Sequence, residues 1–323
     1  MSQVAKSLLA VVVTYCPDAS VLQKLLQALC AQVTDVLIVD NTPAGDDRVH
    51  DAIVDFPGLP GAIRLLRFGA NLGIGAALNV GIQTAIDEGF DYVLLCDQDS
   101  LPAPDMAPQL LTVARQLKAA GVAVGYVGAA YVDRNTRHSF GFQVQEPGRL
   151  FYSTRAADDA DPWVEVITGI TSGSLHPCQV FADVGFMREE WFIDYVDTEW
   201  FHRARALGYR MFGTSRAVLG HNLGELSFRV WYGRWRNYNG YSPQRLYYRF
   251  RNFVLLMGCD YVPRRWKMRA CWYWLGNAYA YLLFSPNRLH NLRFIARGLF
   301  DGIRGMAGRI DAVQRAANVP SGK

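Results

Sequence analysis

Short apolar runs that each close on a polar residue, and are each followed by a helical pattern, constrain this chain more than any other feature. Residues 8–15 form the first run, rich in valine and free of charge, as expected of a strand buried on both faces of a parallel sheet. Asp18 then stands where an N-cap is needed, and Leu22, Leu25, Leu26 and Leu29 recur at helical spacing. The pattern repeats, with strands expected over 36–40, 63–68, 92–96 and 122–127 and helices over 74–88 and 106–118. Repeated strand–helix units predict an α/β fold, a Rossmann-like and mostly parallel sheet flanked by helices. Ligands of such sheets gather at the carboxyl ends of the strands. The polar residues expected there are Thr14, Asp40, Asn71, Asp97 and Asp99.

Farther along, the text turns polar and irregular from about 140 to 161, as an insertion or hairpin would. A strand-like stretch at 164–168, the small-residue turn Thr171-Ser172-Gly173-Ser174 and a helix near 197–207 complete this region. Beyond 227 the composition changes to Arg, Tyr and Trp, so the chain divides into a domain over 1–227 and a basic, aromatic, helical region over 228–323. Charge makes the same division. Residues 1–227 carry 16 Lys and Arg against 26 Asp and Glu, whereas 228–323 carry 17 against 3. Such a tail suits an anionic partner or, alternatively, an Arg-rich solvated helical face. The six cysteines are scattered without a C-x-x-C pair, and the first apolar run is of strand rather than signal-peptide length. Both point to a reducing cytoplasm.

Four segments carry chemistry. Asp97-Gln98-Asp99 follows the fourth strand directly, and carboxylates at i and i+2 can face one hard divalent cation that also binds substrate phosphates. The same pattern is common in surface loops. Asp40-Asn41 closes the second strand, where a carboxylate can accept from a pyrimidine imide or a ribose hydroxyl, with an Asx-turn as the structural alternative. The glycines of Asn71-Leu72-Gly73-Ile74-Gly75 open a helix, allowing backbone approach to a nucleotide, and a helix N-terminus favours phosphate. This segment half-matches a dinucleotide fingerprint, but Leu78 occupies the third glycine position and the segment follows a third strand, which makes a nicotinamide dehydrogenase the weaker reading. Lastly, Asp194, Asp197 and Glu199 crowd beside Trp191, Phe192, Trp200 and Phe201. Apolar surroundings raise carboxyl pKa values and suit a general base, and a capped helix start is the alternative. Arg203 falls on the same helix, where it can pair with one of these carboxylates, and Arg249 and Arg251 are further candidates to touch the diphosphate or acceptor.

Taken in order, Val12-Val13-Thr14-Tyr15, Val39-Asp40-Asn41, Asn71-Leu72-Gly73, Asp97-Gln98-Asp99, Ser172-Gly173-Ser174, Phe192-Ile193-Asp194-Tyr195-Val196-Asp197 and His221 resemble the inverting GT-A glycosyltransferases of family 2, especially their bacterial rhamnosyltransferase branch. The resemblance spans roughly residues 8–225. It implies that Thr14 and Tyr15 line a nucleotide pocket, that Asp40 holds the base, and that Asn71 and Gly73 border the nucleoside. Asp97 would lie near the ribose or metal, Asp99 would be the principal ligand of Mg²⁺ or Mn²⁺, and His221 would be the metal-binding histidine. Arg203 and Arg251 are grouped with the donor-binding residues. Asp197, six residues before Arg203, is the implied catalytic base, with Asp194 as the alternative because Val196 stands where the family's commoner motif has Glu. The implied donor is a nucleotide-diphosphate sugar, dTDP-L-rhamnose ahead of a UDP-hexose or a galactofuranose donor, and the acceptor a glycan or lipid-linked hydroxyl.

The apolar, aromatic run over 270–284 has 15 residues, short of the roughly 20 that a bilayer span needs. With Arg288, Arg293, Arg297 and Arg304 following it, the tail reads as an amphipathic helix on the inner membrane face, presenting the enzyme to a lipid-linked acceptor. An oligomer interface or a helical cap on the domain fits equally. No nucleic-acid reading motif accompanies the charge, so nucleic acid is not an expected partner. A non-catalytic membrane- or polyanion-binding module is the competing class, and it would tolerate loss of Asp99 and Asp197.

Overall fold

The structure, a computed structural model, describes residues 6–54, 62–133, 139–146, 152–157, 162–221 and 226–311. Strands β1 (Lys6–Thr14), β2 (Asp35–Pro43), β3 (Ala62–Gly69) and β4 (Phe90–Asp97) alternate with helices α1 (Ala19–Cys30), α2 (Arg48–Val54) and α3 (Ile74–Asp87). A short β5 (Leu101–Pro102) leads into α4 (Met106–Ala119) and β6 (Val124–Asp133). The small strands β7 (Ser139–Phe140), β8 (Phe142–Val144), β9 (Ser153–Arg155) and β10 (Trp163–Glu165) follow, and β8 pairs with β9 where the sequence suggests an insertion or hairpin. Next come β11 (Ser174–Pro177), α5 (Gln179–Val184), a 3₁₀ turn (Glu189–Trp191), α6 (Val196–Ala206) and β12 (Arg210–His221). The chain then forms a hairpin, β13 (Leu226–Trp231) and β14 (Trp235–Gly240), and three helices, α7 (Pro243–Met257), α8 (Arg264–Leu283) and α9 (Arg288–Ile303).

The main sheet runs in the order β10-β12-β6-β11-β4-β1-β2-β3. Strands β3, β2, β1 and β4 are mutually parallel, as are β6 and β12. The four-residue β11 is antiparallel to both β4 and β6, and too short to show a period in sequence. Asp18 caps α1 as its position predicts, its carboxylate accepting from the amides of Ser20 at 2.8 Å and Val21 at 3.1 Å. Such a cap contributes about 1 kcal/mol.

Side-chain alternation along β1 divides the interior. Leu9, Val11 and Val13 point into a core shared with α3, α5, α6, α7 and α8, while Ala10 and Val12 point into a second core with α1 and α4. Both faces of β1 are covered, which is why its sequence is continuously apolar.

The helical region beyond 228 shares the first core. Leu246, Phe250, Phe253 and Leu256 of α7 belong to the same core cluster as Trp200 and Val180, and Trp274 of α8 meets Phe250 edge-on with centroids 4.5 Å apart. Helix α9 lies close against α7 because Gly298 and Gly302 leave room. A Cβ at 302 would stand 2.8 Å from the Arg251 carbonyl, and one at 298 would strike that of Tyr247. Among the described residues no helix is long and apolar enough to cross a membrane.

Candidate active site

Strand register brings the expected polar residues to one edge. Thr14 pairs with Asp40 across β1 and β2, and Val13 pairs with Asp97 across β1 and β4. The Thr14 hydroxyl donates to Asp40 Oδ1 at 2.8 Å, and the Thr42 amide donates to the same oxygen. Oδ2 of Asp40 is buried without a hydrogen-bond partner among the described residues, with Arg67 Nε 3.6 Å away. Gln98 bridges the first and fourth strands, accepting from the Tyr15 amide at 2.7 Å and donating to its carbonyl. Ser172 braces the Asp97 turn, since its hydroxyl accepts from the Asp97 amide at 3.0 Å and bonds the Ser100 hydroxyl at 2.6 Å.

The opposite wall is a strained segment. Phe192, Asp194 and Tyr195 all have positive φ, at 66°, 62° and 65°, which costs a non-glycine residue about 1–3 kcal/mol each. The Ile193 amide bonds the Trp191 carbonyl two residues back at 2.8 Å, a tight γ-turn. Several partners hold this shape in place. Nδ2 of the fully buried Asn252 donates to the carbonyls of Trp191, Ile193 and Asp194 at 2.8, 2.8 and 2.9 Å. The Asp194 carboxylate is gripped by Arg245, Nε at 3.1 Å, and by Arg249, Nη1 at 2.9 Å.

The glycine segment packs against this wall. Gly73 has φ +93°, and a Cβ there would stand 2.7 Å from the Phe192 ring and carbonyl. The first free amide of α3, that of Ile74, donates to the Phe192 carbonyl at 2.7 Å, so that amide of the helix N-terminus expected to favour phosphate is taken by protein. Asn79 clamps the same helix to the segment before the wall, exchanging hydrogen bonds of 2.9 Å with the Met187 backbone in both directions.

Three cavities run together between the walls. The first, about 300 Å³, is lined by Thr14, Tyr15, Asn41, Asn71, Gly73, Asp97, Asp99 and Phe192. It shares Ile74, Asp97, Ile193 and Arg245 with a central cavity of about 350 Å³ that also contains Asp194, Asp197 and Arg249. The central cavity shares Ile170, Tyr195, Asp197 and Thr198 with a third, also about 350 Å³, walled by Gln143, Trp266, Arg269 and Tyr273. Burial and the neighbouring Asp99 and Asp197 carboxylates push Asp97 up to about 7, against the pull of Arg245. Burial also raises Asp197 above the usual carboxyl range, offset in part by the amide and hydroxyl of Thr198, which both bond its Oδ1.

The family model for glycosyl transferase family 2 matches residues 10–172, which include every strand end that lines the first cavity. The chain belongs to glycosyl transferase family 2. It is similar to the dTDP-rhamnosyl transferase RfbF of Shigella flexneri, 28% identical over 299 residues that cover 93% of this chain and 96% of that one. Solved structures share the fold at lower identity. TarS 1-349 of S. aureus, in complex with UDP-GlcNAc, superposes with a TM-score of 0.55 at 14% identity, covering 95% of this chain and 83% of that one. GalNAc-T7 with UDP, GalNAc and Mn²⁺ gives 0.58 at 11% identity, covering 99% and 59%. The longer TarS chain gives 0.54 at 17%, and the match spans about half of its length, 50%. This family 2 chain therefore has the GT-A fold.

Within that fold the structure brings Thr14, Tyr15, Asn71, Gly73, Asp97, Asp99, Asp194 and Asp197 to one continuous cleft. Asp40 lies directly behind it, fully buried. Arg203 and Arg251, grouped with the donor-binding residues from sequence, stand away from the cleft lining. Arg203 binds Glu199 and donates to the carbonyls of Val184 and Phe186 at 2.6 and 2.7 Å. Arg251, fully buried, donates to the carbonyls of Trp191 and Gly308. Their long-range backbone partners, invisible in sequence, consume the donors a diphosphate would need. Glu199 is likewise structural, accepting from Arg188, Arg203 and Tyr261. Arg245, which sequence reasoning missed, borders both the first and central cavities; its only signal was a place in the basic tail. The side chain of His221 lies outside the described residues, and among those described no group of three or more His, Cys, Asp or Glu is gathered for a metal.

Proposed function

We propose that the chain is an inverting rhamnosyltransferase that moves L-rhamnose from dTDP-L-rhamnose to a hydroxyl of a glycan or glycolipid in surface polysaccharide synthesis. The observation that carries this reading is the continuity of the three cavities, with Asp97 common to the first and second and Asp197 common to the second and third. Similarity to a dTDP-rhamnosyl transferase along nearly its whole length supports the choice of donor.

In this reading the nucleoside occupies the first cavity between Thr14, Tyr15, Asn71 and Gly73, and Asp40, buried behind them, orients the Thr14 hydroxyl rather than touching the base. Arg245 faces the diphosphate, and the sugar occupies the central cavity. Asp97 and Asp99, with His221, would hold Mg²⁺ or Mn²⁺. Two crowded carboxylates at a strand end suit a cation that keeps phosphate and water ligands, and the raised pKa of Asp97 comes first from burial and then from the Asp99 and Asp197 charges that such a cation would compensate. When bound there, the ion neutralises charge on the departing diphosphate. Asp197 takes the proton of an acceptor hydroxyl from the third cavity. That oxygen bonds the anomeric carbon as the carbon–oxygen bond to the diphosphate breaks, from the opposite face, which inverts the centre. Asp194, the alternative base, is neutralised by Arg245 and Arg249, so Asp197 is the better candidate. Burial raises its pKa above the usual carboxyl range, which makes it a stronger base than an exposed aspartate.

Titration with dTDP-rhamnose, UDP-glucose and UDP-galactose, each with Mn²⁺ and with EDTA, tests the donor. Metal-dependent binding of dTDP-rhamnose alone supports it, whereas preference for a UDP-sugar discards the rhamnosyl assignment. Asp197→Asn should keep donor affinity and lose about 10²–10⁴ in turnover. Unimpaired transfer by that variant would remove Asp197 as base.

A further inference from the structure

Helices α8 and α9 bury one face each and turn an apolar face outward. On α8, Met268, Trp272, Leu275 and Leu282 recur every three to seven residues on one side and are exposed, Trp272 to 71%. On α9, Leu289, Leu292, Phe300 and Ile303, three or eight residues apart, also share one side and are exposed, Leu289 to 85% and Ile303 to 76%. The two stripes meet where Leu282, Leu289 and Leu292 line one surface hollow. The β13–β14 hairpin lies against α8, tied by Tyr232 Oη to the Gly276 carbonyl at 2.7 Å and Tyr279 Oη to the Trp231 carbonyl at 3.0 Å, and carries exposed Trp231 and Trp235. A contiguous apolar surface of this kind marks a docking site.

Charge selects the occupant. Arg234 and Arg236 on the hairpin, Arg264 and Arg265 at the start of α8, and Arg288, Arg293 and Arg304 at α9 are all exposed. The hairpin and α8 contain no carboxylate, and the one on α9, Asp301, is buried against Tyr247 and Arg297. A second copy packed on this face about a twofold axis would oppose the face's own arginines. A protein partner would have to supply an acidic rim around an apolar centre. An anionic bilayer supplies both at once, with acyl chains for Trp272, Leu289 and Ile303 and phosphates for the arginines.

We propose that the α8–α9 face, with the hairpin tip, docks on the surface of an anionic phospholipid membrane without crossing it. The other flank of α8 contributes Trp266, Arg269 and Tyr273 to the third cavity. Docking therefore holds that cavity within about one helix diameter, roughly 10–12 Å, of the lipid surface. The acceptor consequence rests on the proposed function; the membrane contact does not.

Sedimentation with vesicles tests it, using phosphatidylcholine alone and phosphatidylcholine mixed with phosphatidylglycerol. The full chain should pellet with the anionic vesicles and be released by salt. Arg288→Gln, Arg293→Gln and Arg304→Gln should each weaken binding about fivefold. The combined variant Trp272→Ser/Leu289→Ser/Ile303→Ser, altered only at exposed positions, should bind at least tenfold more weakly. It should unfold at the wild-type urea concentration and transfer sugar to a water-soluble acceptor at the wild-type rate. Absence of vesicle binding by the folded wild type overturns the proposal, as does equal binding by wild type and both sets of variants. A dimer that dissociates in the triple variant, with no vesicle binding, assigns the face to a second copy instead. Vesicle binding without any sugar transfer would sink the catalytic reading and leave this one standing.

Discussion

Replacing Asn252 with alanine should separate the stability of this protein from its activity. The Asn252 amide nitrogen has two hydrogens and serves three carbonyls of the strained wall, while its oxygen accepts from Arg251 Nε at 2.9 Å. Without it, the partly buried carbonyls of Ile193 and Asp194 lose their donor, at about 1–3 kcal/mol each. Opposing this, the three positive-φ residues store about 1–3 kcal/mol apiece, and part of that is recovered when the wall relaxes. The net loss of stability should be about 2–4 kcal/mol, smaller than the broken bonds alone suggest. Relaxation moves Asp194 and the start of α6, which carries Asp197, and misplacement by about 1 Å costs roughly 10²-fold in rate. Leu256→Ala, on the same helix and fully buried in the core, is the control, at about 2–5 kcal/mol from its cavity. Urea denaturation and kcat would be measured for both at a temperature where both are folded. Equal kcat for Asn252→Ala and wild type would refute the claim that Asn252 shapes the site, as would an equal loss of kcat in Leu256→Ala.

Gly73→Ala places a Cβ 2.7 Å from the Phe192 carbonyl at φ +93°, and strain plus overlap should cost about 3–5 kcal/mol by urea denaturation. Arg245→Gln removes one of the two partners of Asp194 and a cation bordering the first cavity, so calorimetry should show donor binding at least tenfold weaker. Burial alone would raise Glu199, but Arg203, Tyr261 and Arg188 hold its carboxyl below the usual range. A depressed folded pKa contributes stability that is present above the unfolded value of about 4.3 and lost as pH falls through the folded one. Glu199→Gln should therefore flatten the acid limb of the stability–pH curve and cost about 3 kcal/mol at neutral pH; an unchanged limb would assign acid unfolding to other groups.

Much of this protein was legible in the sequence because its information there is local. A strand covered on both faces must be continuously apolar, so β1, β2 and β4 announce themselves, and Asp18 announces α1. Strand ends in a parallel sheet then fall on one edge, which gathers Thr14, Asp40, Asp97 and Asp99 before any coordinates are known. Residue types could not reveal which charges were already spent. The i,i+4 spacing of Glu199 and Arg203 hints at their pairing, but Arg251 looks as available as Arg245 until folding supplies partners about 60 positions away, as it does Tyr261 to Glu199. Nor could spacing show that Gly73 makes room for Phe192, or that Asn252 bonds three carbonyls of a wall in which three residues have positive φ. Sequence by itself determined the sheet, its helices and the edge where the site lies. Only the tertiary structure decided which side chains there remain free to act, because a buried polar group goes to whatever partner packing brings to it, and that partner is set by the whole chain.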